Sequence, residues 1–229
     1  MLGDSYATIT YLIHLANNYR VLTDYKTSLE KLDEACELAQ KMNDAEGLAI
    51  ARNQRATVLI ALGQIDEAHE LIARVVRETD SWLAGRMRAY LREKLAITQM
   101  LKGQIAQAQA TLNDALELPA AKSEKSVRMR LQTSLALALL ADGKANQVAP
   151  LLEKPSVDVP LWMEMDRQLV SALHQIAEGH LDEARALASQ VAEQCQSAGL
   201  LFNAQHAENV LRAVDNPPPL KELPKLMWV

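Results

Sequence analysis

His174 and Glu178 stand four residues apart, one helical turn, and His180 follows across Gly179. An imidazole and a carboxylate at that spacing could begin a divalent-metal corner. A metal corner needs a further His or carboxylate on the same helical face, and the neighbouring positions supply none, so these side chains are read as solvated or capping. His14 has the spacing of a groove-facing residue, and His69 and His206 are placed on solvated faces. Cys36 and Cys195 form no CxxC pair and are read as small helix residues rather than ligands, nucleophiles or disulfide partners. Nowhere does the chain carry GxxxxGK(S/T), GxGxxG, HExxH or GxSxG. No enzymatic activity, metal or cofactor is expected.

Surfaces must then carry the function, and composition says which kind. The chain has 229 residues, 24 Lys+Arg against 29 Asp+Glu, 49% apolar residues and only 4% aromatic ones. Few aromatics and an abundance of Ala and Leu favour helices and exclude an all-β fold. An acidic chain with few rings for base stacking is a poor nucleic-acid binder. No apolar run reaches the roughly 18 to 20 residues that span a bilayer, and Met1 to Tyr11 lacks the pattern of a secretory signal. A cytoplasmic location without membrane contact is the expectation.

A repeat organises the chain. Turns at Thr23, Gly63, Gly103, Gly143 and Gly179 are spaced 40, 40, 40 and 36 residues apart. Five positions after each turn comes a small or branched residue: Ser28, Ala68, Ala108, Val148 and Ala184. Seven positions before each stands Ala16, Ala56, Ala96, Ala136 or Ala172. A small side chain recurring at one place lets a neighbouring helix approach closely. Apolar residues then follow with helical period, as in Ile65, Ala68, Leu71, Ile72 and Val75. Each unit is therefore a helical hairpin whose first helix ends on Gly in the left-handed conformation. In the first unit Thr23 takes that place and Asp24 caps the next helix.

The spacing predicts helix pairs at about 5–21/25–41, 45–62/65–79, 82–102/105–118, 122–142/145–154 and 161–178/181–197. A last helix near 200–214 closes the stack, giving a helical region over 1–214 and a Pro-rich tail over 215–229. Lys154 to Pro160 interrupts the fourth and fifth units and shortens the fourth pair; Pro217 to Pro219 end the helical pattern. The tail, ending in Leu226, Met227, Trp228 and Val229, is either a linker stub or a segment docked on the helices, docking being the favoured reading. Trp82 and Trp162, near the starts of two first helices, are expected to plug junctions between hairpins.

The small residue before the turn, Gly at the turn, and the openings Asp66-Glu67-Ala68 and Asp182-Glu183-Ala184 resemble the tetratricopeptide repeat over about residues 5–197. The period of 40, against the usual 34 or so, is similar to the long-helix variants of MalT-like bacterial regulators. The resemblance implies an all-α fold: a right-handed α-α superhelix, a solenoid of about five hairpins with a C-terminal capping helix. It further implies a scaffold or regulatory module that binds a protein or peptide segment in a concave groove lined by the first helices. The alternative it offers is a small-molecule-sensing domain of a MalT-like transcriptional regulator.

Projecting the family's groove positions onto this chain selects Asn17, Arg20, Asn53, Gln54, Thr57, Tyr90, Glu93, Lys94, Ile97, Arg130, Thr133, Leu137, Leu169 and Leu173. Ile97, Leu137, Leu169 and Leu173 would be apolar anchors, and Asn53, Lys94 and Arg130 would fix register. The family's grip on a C-terminal carboxylate is matched by Asn17 and Lys94 but not by Ile13, Gln54 and Tyr90, so that mode is disfavoured. Net charge runs −5 over residues 1–73, +5 over 74–130 and −5 over 131–229. The basic centre holds Arg74, Arg77, Arg86, Arg88, Arg92, Lys94, Arg128 and Arg130. It reads first as a solvated surface paired with Glu78, Asp80 and Glu93, and second as a belt for an acidic partner segment.

Overall fold

The computed structural model describes residues 2–154 and 158–228. All regular structure among them is helical. Pro155 to Val157, within the expected interruption between the fourth and fifth pairs, lie outside the described residues. The chain divides into two compact units, Met1–Thr98 and Gln99–Val229.

In the first unit the expected hairpins form as α1 (Leu2–Val21), α2 (Tyr25–Lys41), α3 (Ala45–Ala61) and α4 (Ile65–Thr79), followed by α5 (Gly85–Leu101), whose last residues belong to the second unit. Helices α1 to α4 each pack on the next, and α1 also packs on α3. The close-approach residues behave as their size requires: Ala16, Ala56, Ala96, Ser28 and Ala68 are fully buried. Ser28, the only polar member of its column in the sequence, donates its hydroxyl to the Ala16 carbonyl at 2.7 Å. Ile9, Ile13, Ala35, Ala39 and Ala51 form one apolar cluster, and Ala49, Ala56, Ile72, Val75, Leu83 and Leu91 another.

Turn chemistry follows the sequence. Gly63 has φ +72°, and Thr23 in the equivalent place is held at φ +61°, a conformation that a β-branched residue adopts only under strain. Asp24 Oδ1 accepts from the Thr27 N–H at 3.1 Å, as expected of a cap.

The second unit holds α6 (Ile105–Leu116), α7 (Pro119–Ser123), α8 (Lys125–Ala141), α9 (Leu161–Glu178), α10 (Leu181–Ser197), α11 (Leu201–Asp215) and α12 (Leu223–Trp228). Helices α3, α5 and α8 begin at 45, 85 and 125 and end at 61, 101 and 141, so the 40-residue period is a period of structure as well. Ala136, Ala172, Ala108, Val148 and Ala184 are again fully buried.

Two expectations need correction. The fourth pair has no second α-helix: Ala145–Gln147 and Ala149–Leu151 are short 3-10 turns. Pro150 has no N–H to donate and its ring clashes with the preceding turn, so a helix over 145–154 cannot propagate. Helix α5 starts at Gly85 rather than at 82, leaving Trp82 46% exposed with its indole N–H on the Glu78 carbonyl at 2.8 Å, so it plugs no junction. The tail does dock, through α12 on α8 and α11 and through the 3-10 turn Leu220–Glu222 on α8.

Candidate partner-binding face

In the first unit α1 and α3 touch and carry the polar positions selected from sequence. Asn17 and Arg20 are half-buried and joined, Arg20 donating through Nε and Nη2 to Asn17 Oδ1 at 3.2 and 2.9 Å. Burial lowers the Arg20 pKa from its ordinary value, against an opposing effect from Tyr25. One turn apart on α3, Thr57 donates its hydroxyl to the Asn53 carbonyl at 3.1 Å, and Gln54 stays half-buried. The Asn53 side chain is 7% exposed, and among the described residues its amide oxygen finds no hydrogen-bond donor. A buried acceptor without a donor costs about 1 to 3 kcal/mol, and because the atom is closed off from the surface a partner could not supply that donor.

Tyr90 on α5 is half-buried, whereas Glu93 and Lys94 are buried and already engaged within the protein. Lys94 is therefore not an exposed cation that could fix a partner's register. Ile97, Leu137, Leu169 and Leu173 are between 0 and 1% exposed. An anchor must be reachable, and these four are core residues; burial of large apolar side chains outweighs their use as a surface. Projection onto a helix gives the direction a residue points, not what else packs there.

In the second unit Arg130 lies with its guanidinium 5.2 Å from the centroid of the Trp162 ring, a cation–π contact. Thr133 is buried, its hydroxyl on the Met129 carbonyl at 3.0 Å. The expected histidine roles divide. His174 Nε2 lies 3.0 Å from the Ala145 carbonyl and 3.8 Å from Glu178, so it ties α9 to the first 3-10 turn. His206, expected in solvent, is buried between Phe202 and Trp228, at ring-centroid distances of 4.2 and 6.4 Å. His69 is half-buried with Nδ1 2.9 Å from the Thr98 hydroxyl, while His14 is exposed. Among the described residues no group of three or more His, Cys, Asp or Glu is placed to hold a metal. Burial pushes the thiol pKa of Cys36 and Cys195 up, which keeps both protonated and poorly nucleophilic.

The basic centre divides between the units. In the first, Arg88 and Arg92 both donate to Asp80 Oδ1, at 2.9 and 2.5 Å, and Glu78 pairs with Arg52 rather than with the belt. The hydrogen bonds from Arg92 and Arg88 hold the Asp80 carboxyl below the usual carboxylate range. Arg74 and Arg77 line an open depression of about 390 Å³ on α4 with His69, Glu70 and Ala73.

Sequence reasoning missed Arg167, which is buried on α9. It donates to Glu164 through Nε and Nη2 at 2.8 and 2.6 Å, and to the Leu152 carbonyl through Nη1 at 2.6 Å. It thus closes the end of the shortened fourth repeat. The i, i+3 spacing of Glu164 and Arg167 was a visible signal for the pair, but not for Leu152. Asn203 and Asn209 were also missed. Asn203 Nδ2 reaches Asp166 at 2.8 Å, and Asn209 Nδ2 reaches the Leu226 carbonyl at 3.2 Å.

No family model matches the chain, and no curated protein matches it. Among solved structures it is similar to a singly substituted form of the nearly identical TPR-like repeats from a Podosopora anserina putative kinesin light chain. That match has 25% identity and TM-score 0.60, covering 83% of this chain and 96% of the other. The same protein without the substitution matches at 24% identity and TM-score 0.59, covering 82% and 96%. Among the described residues no helix is long and apolar enough to cross a membrane. With its 40-residue helical period and these neighbours, the chain has the fold of a TPR-like helical repeat, an all-α solenoid.

Proposed function

We propose that the protein is a non-enzymatic protein-interaction scaffold whose first-helix face in the first unit binds a partner segment. The observation that carries this reading is the group of half-buried polar side chains, Gln54 and Thr57 on α3 and Asn17 and Arg20 on α1, on two helices that touch. Amides and hydroxyls of this kind suit the main chain of an extended segment, whose N–H and C=O groups they satisfy without demanding a particular sequence. The TPR-like repeat fold generally mediates protein–protein interaction, which supports the same assignment.

A displayed peptide library panned on the purified protein tests it. Selected peptides should lose at least tenfold in affinity on an Asn17→Ala/Gln54→Ala/Thr57→Ala variant that keeps its helical circular dichroism. Undiminished binding by that variant removes this face from the reading. The alternative, a small-molecule sensor of the MalT-like kind, has less support: the depression lined by His69, Arg74 and Arg77 is open, and these residues come from one helix. An acidic partner segment at the basic centre would meet Arg74 and Arg77 before Arg88 and Arg92, which Asp80 already occupies.

A further inference from the structure

The C-terminal segment is joined to the repeats in an unusual way. Pro217, Pro218 and Pro219 follow Asn216, and three residues in succession without an N–H cannot continue a helix. Beyond them α12 has only six residues, Leu223–Trp228. A helix that short does not persist in water on its own local energy. Its order comes from what it touches.

Leu223 and Met227 stand at i and i+4, one face of a helix, while Leu220 in the preceding 3-10 turn stays 37% exposed. Leu223 is 0% and Met227 1% exposed, while Lys221 and Lys225 are exposed. Leu220 Cδ1 lies against Gly143, 3.9 Å from where a Cβ on that residue would stand, just past the end of α8. At the other end Trp228 meets the ring of buried His206 on α11. Between them the Asn209 side-chain amide donates to the Leu226 main-chain carbonyl. The seat is thus formed by α8, the first helix of the fourth pair, and α11, the closing helix, which both pack on α9. Apolar anchors at helical spacing combined with an amide that reads a main-chain carbonyl are how a groove holds an amphipathic peptide.

We propose that the face formed by α8 and α11 is a peptide-docking site. It is held in cis by the chain's own Leu220–Trp228 segment and accepts in trans a short amphipathic helix with the same Leu and Met at i and i+4. This deepens the scaffold reading by giving the partner's chemistry, and it rests on that reading only in its general form, because the first-unit face takes no part. While the cis segment is docked, a partner competes with it and binds with an affinity reduced by the fraction of sites that are open.

The test uses a fluorescent peptide of residues 217–229 and the full chain. In anisotropy titrations a Leu223→Asp/Met227→Asp chain, which releases its own segment, should bind the peptide at least tenfold more tightly than the wild type. A peptide carrying the same two changes should bind neither. Equal binding to both chains, or binding to neither, overturns the proposal. Should the double variant lose its helical circular dichroism, a protease site placed among Pro217 to Pro219 leaves the segment's sequence intact. After cleavage, exchange of the native segment for the labelled peptide supports a docking site. Retention of the segment against a hundredfold excess of peptide, or melting of the repeats once it leaves, shows it to be core and overturns the proposal. Either result is independent of library binding to the Asn17/Gln54/Thr57 variant, so the two readings fail separately.

Discussion

Helices α3 and α8 start at the same point of the repeat, at Ala45 and Lys125, and each runs 17 residues. Their surroundings differ completely. Helix α3 is followed by the full helix α4 and keeps Gln54, Arg55 and Thr57 half-buried. Helix α8 is followed by two 3-10 turns, yet every residue from Thr133 to Ala141 is buried. The shortened repeat is enclosed because other segments cover it: α6, α7 and α9 pack on α8, and so do the 3-10 turns, α12 and the Leu220–Glu222 turn. One repeat grammar therefore gives a polar, reachable face in the first unit and a sealed one in the second. What decides between them is whether the chain returns to cover the helix.

The sharpest way to break the comparison is a matched pair of truncations. Leu137 and Thr57 are equivalent positions 80 residues apart. Leu137→Ala should cost about 2 to 5 kcal/mol, as for other buried leucines, while Thr57→Ala should cost about 1 kcal/mol or less. Urea-denaturation midpoints read the difference, and equal costs would mean that the α8 face is as accessible as the α3 face. Next in size is Arg167, the residue that closes the shortened repeat onto α9. Removing it leaves half-buried Glu164 with only the Gln168 amide and frees the Leu152 carbonyl, so Arg167→Ala should cost about 2 to 3 kcal/mol. By contrast the more exposed pairing of Arg52 with Glu78 in the first unit should be worth about 1 kcal/mol or less.

Turn conformation gives a smaller effect of opposite sign in the two regions. Gly143→Ala places a Cβ at φ +75° and should destabilise by roughly 1 kcal/mol. Thr23→Gly relieves the strain at φ +61° and should stabilise by about 0.5 kcal/mol after the entropy of Gly is counted. Thermal melts of the two variants should move in opposite directions.

The smallest effect is a pH dependence. Burial pushes the Glu164 pKa up, but the hydrogen bonds from Arg167 and Gln168 and the nearby positive charges outweigh it, leaving the carboxyl below its ordinary value. A group lowered in the folded state contributes stability above its unfolded pKa and loses it as pH falls through the folded one. Stability should therefore decline on acidification below the usual glutamate range, and Glu164→Gln should flatten that slope.

Much of the fold was legible in the residues. The Ala16, Ala56, Ala96, Ala136 and Ala172 column, the turn glycines and the Asp24 cap state local requirements for helix contact and chain reversal, which depend on neighbours a few residues away. The loss of a helix after Gly143 was written in Pro150, a signal overshadowed by the more conspicuous Lys154 to Pro160 segment. The candidate face was legible only in part. Asn17, Gln54 and Thr57 remain accessible where the register points them, but Leu137, Leu169 and Leu173 are core residues, and His206 is buried rather than solvated.

The sequence by itself determined most of the helices, their 40-residue period and the hairpin pairing of α1 to α4, because backbone hydrogen bonding and helical spacing act over a few residues. Only the tertiary structure decided which first-helix positions stay reachable, that Arg167 closes onto Leu152, and that Leu223 and Met227 return to α8 and α11. Those outcomes depend on apolar burial between segments far apart in the chain, and such burial is set by available surface rather than by local pattern.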